Sequence, residues 1–173
     1  MAHGIWIIAI AGASALLSGC GSRAQAANSS NMPDAALADQ PWPAFYQRAG
    51  ELFQQGERDQ AVTLFYIGQL RGRIIVQCKR VRPDGEPAVL ASLNATVGKT
   101  INEYAGGSPE GWAASIDQAL AWDEAHPDPS AADGGCRAER TRQRAGLAQL
   151  VEHVRANAGE IASQRRAAGL PNR

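Results

Sequence analysis

Charged side chains are missing from the first twenty residues of this 173-residue chain, where no Asp, Glu, Lys or Arg occurs. The apolar run inside that stretch, residues 5–17, is shorter than the ~20 residues that a membrane-spanning helix needs. It reads instead as the core of a secretion leader. Aromatics are sparse, with Trp 4, Tyr 3 and Phe 3, and alanine is abundant, which favours helix over sheet. No segment alternates polar and apolar residues strongly enough to read as a strand. Net charge is lacking too: 17 basic residues face 17 acidic ones, so the chain carries no overall electrostatic pull toward nucleic acid or anionic lipid. Catalytic motifs are also missing. There is no Gly-x-Ser-x-Gly elbow and no His-Glu-x-x-His. Gly98-Lys99-Thr100 resembles the end of a phosphate loop, but Leu93 stands where that loop requires glycine. No catalytic residue, metal ligand or cofactor is expected.

What is present is a succession of helical patterns, and the expected fold is all-α, an irregular bundle of about five helices. Pro43 suits a helix's first turn, and that helix runs through Phe45, Ala49, Leu52 and Phe53 to a stop at Gly56. A second helix is predicted over residues 59–79. Its first part, residues 61–70, is apolar nearly all round, the mark of a central buried helix. Its later part turns basic, which complements a helix carboxyl end. Arg82-Pro83-Asp84-Gly85 reads as a loop. Leu90, Leu93, Val97, Ile101 and Tyr104 then recur at helical spacing up to Gly106-Gly107. Ser108 and Pro109 open the next helix, which His126-Pro127 ends. A polar loop leads to about Gly135. One final helix is expected to carry Leu147, Leu150, Val151, Val154, Ala158 and Ile161 on a single stripe.

Leu17-Ser18-Gly19-Cys20 places an aliphatic residue and two small ones before a cysteine. This resembles the lipobox of bacterial lipoproteins. The resemblance implies removal of residues 1–19 and acylation of Cys20, with several acyl chains holding far more firmly than one marginal chain. Gly21 after the cysteine, rather than aspartate, implies an outer-membrane destination facing the periplasm. The four residues ahead of the apolar run carry no Lys or Arg, a departure from the usual positively charged opening. Residues 20–41 are small and polar and read as the acylated cysteine and a flexible tether of about 25 Å. The helical domain is expected over residues 42–170.

Phe45, Ala49, Leu52, Gly56, Ala61, Phe65 and Gly68 fall at the offsets of a tetratricopeptide-type helical hairpin. Small residues there let two antiparallel helices approach, and large ones fill the gaps beside them. The resemblance covers about thirty residues and one repeat, with no second copy at a period of ~34, where a solenoid normally needs three or more. The family's closing proline is replaced by Arg73.

Export would put Cys78 and Cys136 in an oxidising compartment, where an even pair favours a disulfide over two free buried thiols. Arg71, Arg73, Lys79, Arg80 and Arg82 form a basic cluster that offers a surface to an acidic partner. Arg137, Arg140, Arg142 and Arg144 form a second, and a disulfide would bring the two near each other. The alternative is ordinary helix-surface charge balanced by Glu57, Glu86 and Glu139. Asp123-Glu124-Ala125-His126-Pro127-Asp128 reads as a solvated acidic loop rather than a metal site. Trp42, Trp112 and Trp122 read as core residues.

These features point to a periplasm-facing protein held to the membrane by its lipid, whose helical domain binds another protein and not nucleic acid. An immunity or inhibitor lipoprotein directed at a secreted toxin is the alternative. A small cell-wall hydrolase using Asp123, Glu124 and His126 is a weaker third reading.

Overall fold

Glycine and proline set the borders of the first helix. Pro43 sits in the first turn of α1 (Trp42–Gln55), and Gly56 closes it at φ 91°, a left-handed conformation that favours glycine. The next amide, that of Glu57, returns to the carbonyl of Leu52 at 2.9 Å. With so short a link, α2 (Arg58–Cys78) must fold back along α1. A computed structural model describes residues 35–79 and 85–173, all within the unit Asn31–Arg173. The leader, Cys20, Arg80 and Arg82 lie outside the described residues.

Every residue from 61 to 72 of α2 is buried, as an apolar surface on all sides requires. α1 and α3 pack against it, and so do α4 and α5. α3 comprises Glu86–Leu93, a π-helical turn Asn94–Gly98, and Lys99–Ala105. α4 is Pro109–Ala125, and α5 is Gly134–Ala156. At the start of α4, the Ser108 hydroxyl accepts the Gly111 amide at 3.3 Å. At the start of α5, Asp133 accepts the Cys136 amide at 3.0 Å. Among the described residues there is no strand.

One expectation needs correction. The last helical stripe is two helices, α5 and α6 (Ala158–Ala167), which brings the count among the described residues to six. Asn157 separates them, leaving helical geometry at φ −113° and donating its side-chain amide to the His153 carbonyl at 2.7 Å. Of the segment expected as a tether, residues 35–41 lie among the described residues. Ala35–Leu37 forms a 3-10 turn, and Leu37 and Ala38 pack against the core.

The disulfide is formed. Cys78 ends α2 and Cys136 lies in the first turn of α5, with Cα atoms 5.0 Å apart at a sequence separation of 58. The chain-entropy model assigns a loop of that length about 4 kcal/mol.

The α1–α2 hairpin depends on absent side chains. A Cβ built on Gly68 would lie 2.9 Å from the Phe45 Cβ and 2.9 Å from the Tyr46 ring. One on Gly72 would lie 2.9 Å from the Trp42 ring. Gly50, also helical, has nothing within 4 Å. Gly68→Ala is therefore expected to destabilise by about 1–3 kcal/mol through overpacking. Gly50→Ala should stabilise by about 0.5–1 kcal/mol through helix propensity. Urea unfolding of the two variants should move the midpoint in opposite directions.

Candidate functional site

An arginine lies in the middle of the most buried helix. Arg71 is 0% exposed, so its charge needs partners close at hand. Its Nε donates to Asp123 Oδ1 at 3.3 Å, its Nη1 to the Ala38 carbonyl at 2.7 Å, and its Nη2 to the His126 carbonyl. The guanidinium carbon lies 4.9 Å from the centre of the Phe45 ring and 5.0 Å from that of Trp122. Those two rings meet edge to face at 5.6 Å.

Asp123 in the last turn of α4 is 1% exposed and serves more than one cation. Its Oδ2 accepts Arg144 Nη1 at 2.8 Å and Arg140 Nη2 at 3.3 Å. The same arginines bond the backbone of α4: Arg140 Nη2 donates to the Asp123 carbonyl at 2.9 Å, and Arg144 Nη2 to the Leu120 carbonyl at 3.1 Å. Glu124 stands outside this group, with Oε2 at 3.0 Å from Arg144 and 3.8 Å from Arg140. The acidic stretch is therefore solvated only in part: Glu124, Ala125 and Pro127 are exposed, but Asp123 is not. Its first residue is the buried centre of an ion network, and the His126 ring stacks on Trp122 at 4.4 Å.

The expected partner-binding residues are divided by the structure. Arg71 faces the interior, bound to Asp123, and contributes nothing to an outer surface; this corrects its expected role. Arg73 and Lys79 are exposed. The two basic clusters do meet, but they meet inside, where Arg71 from one and Arg140 and Arg144 from the other share Asp123. Arg142 pairs with Glu139 on its own helix. A sequence signal for this network existed: Arg71 interrupts an otherwise apolar helix face, and Arg140 and Arg144 are four residues apart on one helix face.

Buried phenols form a second polar layer. Tyr46 donates to Asn94 Oδ1 at 2.9 Å, which also accepts Gln69 Nε2 at 3.0 Å. Tyr66 donates to Asn102 at 2.9 Å and accepts the Trp112 indole N–H at 2.6 Å. Burial pushes the Tyr66 phenol up to about 12 and raises that of Tyr46 further, so both stay neutral and structural at ordinary pH.

Two of the cavities that open to solvent among the described residues bear on the expected site. A cleft of about 400 Å³ lies among Trp42, Pro43, Ile75, Val89 and Pro129, with Lys79 also in its wall. Val89 is 44% exposed, the one large apolar side chain so exposed among the described residues. A second cavity of about 330 Å³ is lined by Glu124, Arg137, Arg140, Thr141 and Arg144. Among the described residues no three His, Cys, Asp or Glu side chains gather as a metal site would require.

Asp123→Ala would leave Arg71 buried without its carboxylate and is expected to cost about 3–5 kcal/mol. Arg71→Met removes the buried cation while Asp123 keeps Arg140 and Arg144. Its cost, from two carbonyls left without a donor, should be smaller, about 1–3 kcal/mol. Chemical denaturation should rank the two in that order, with Glu124→Gln almost unchanged. No family model, curated protein or solved structure matches this chain.

Proposed function

We propose that the chain is a lipid-anchored, periplasm-facing protein whose helical domain binds another protein through the cleft beside Trp42. The lipobox at Leu17-Ser18-Gly19-Cys20 supports the anchor. The Cys78–Cys136 bond supports an oxidising compartment. The observation that carries the binding part is the cleft: an apolar wall of Trp42, Ile75 and Val89, with Val89 left exposed where a partner side chain would cover it. Lys79 lines the cleft together with Asp39, Glu86 and Asp128, so its polar rim is not the basic surface expected at the end of α2.

A tetratricopeptide-like origin of the α1–α2 hairpin fits this reading. Phe45, Ala49, Leu52, Ala61 and Phe65 are buried at their expected offsets, and Gly68 lies against Phe45. An immunity or inhibitor role is one form such binding takes. The hydrolase reading has less support, since Asp123 is enclosed by three arginines and His126 is stacked on Trp122.

Two measurements test the proposal. Radiolabelled palmitate should appear on the wild-type chain and not on Cys20→Ser; an unlabelled wild type removes the anchor. Mild cross-linking in detergent-solubilised membranes should recover a stoichiometric partner. Val89→Asp should reduce that recovery about tenfold, the equivalent of 1.4 kcal/mol, while its unfolding midpoint stays at the wild-type value. Equal recovery with Val89→Asp would remove the cleft from the proposal.

A further inference from the structure

The second cavity has a different chemistry from the cleft, and its argument depends on neither the lipid anchor nor a protein partner. Arg137, Arg140 and Arg144 recur at helical spacing on α5 and line it together. Arg140 and Arg144 are about three-quarters buried, at 26% and 22% side-chain exposure. Asp123 and two backbone carbonyls of α4 fix their positions. Among the described residues, the polar contacts of Arg140 all run through Nη2, and those of Arg144 through Nη1 and Nη2. Each therefore keeps N–H groups that Asp123 does not use. Arg137 is exposed and has no ion pair among the described residues.

The charge does not balance locally. Arg71, Arg137, Arg140 and Arg144 face Asp123 and Glu124, which leaves two positive charges on a chain whose total is zero. Glu124 shows how an oxyanion sits here. Its carboxylate is 70% exposed, yet Oε2 rests against Arg144 at 3.0 Å and Arg140 at 3.8 Å. It occupies one side of the arginine group and leaves Arg137 unmatched.

We propose that this cavity is a binding site for a phosphate group, held by Arg137 together with the outward N–H groups of Arg140 and Arg144, with Glu124 as its internal competitor. A phosphate dianion matches the surplus of two positive charges. Its oxygens suit the planar forks of several arginines better than one carboxylate does. Because Asp123 already fixes two of the three guanidiniums, little side-chain ordering is left to oppose binding. The phosphate comes either from a free ion or from a lipid headgroup, and the chemistry is shared.

The test uses the full chain in nonionic detergent micelles. Calorimetric titration measures binding of inorganic phosphate and pyrophosphate, with chloride at equal ionic strength as the control. A parallel series dopes the micelles with phosphatidylglycerol or phosphatidylcholine. Binding of phosphate or pyrophosphate supports the site with a free ion as ligand. Binding confined to phosphatidylglycerol micelles supports it with a lipid headgroup. In either case Arg137→Ala should weaken binding about tenfold, the loss of one charge-assisted contact. Glu124→Gln should tighten it, and neither variant should shift the unfolding midpoint, since both leave Asp123 and its arginines in place. No binding of any probe overturns the proposal. So does binding that chloride abolishes, or binding unchanged in both variants.

Discussion

A positive charge inside the hydrophobic core is the constraint around which this domain is arranged. Arg71 sits on a helix buried on every side, and no solvent reaches its guanidinium. Such a group is tolerated only where each nitrogen finds an acceptor and a carboxylate neutralises the charge. Meeting that demand draws in three separate parts of the chain: Ala38 before α1, Asp123 at the end of α4, and His126 just beyond it. Asp123 then recruits Arg140 and Arg144 from α5. One side chain thereby fixes where four segments meet.

The disulfide acts at the same end of α2. Cys78 lies two turns beyond Arg71, and Cys136 one turn before Arg140. The covalent link and the ion network therefore hold the same pair of helices by different physics. The bond mainly limits the unfolded chain, whereas the network selects one packing of the folded one. The same hairpin is also held by close backbone approach, with Gly68 against Phe45, and by buried phenols bonded to Asn94 and Asn102.

The outward face of the network and the apolar cleft offer two surfaces of opposite character. One presents guanidinium groups fixed from behind by a buried carboxylate. The other exposes Val89 at the mouth of a cleft floored by the buried Trp42 and Ile75, beside the last turn of α2.

Local chemistry, written in the sequence, determined that the domain is helical and where most helices begin and end. Gly56, Ser108-Pro109 and His126-Pro127 act on their immediate neighbours, and those effects need no knowledge of the rest of the chain. The all-round apolarity of residues 61–70 likewise marked α2 as central. The break at Asn157 was hidden because an apolar stripe continues across it into α6. Tertiary structure alone decided the fate of the charges. Arg71 and Arg73 are two residues apart on one helix, yet one is enclosed and the other faces water. Asp123 and Glu124 are adjacent, yet only the first is buried. A residue's sequence neighbours fix its direction on its own helix, but its solvation is set by whichever helix packs opposite, and that partner lies 52 residues away for Arg71 and Asp123.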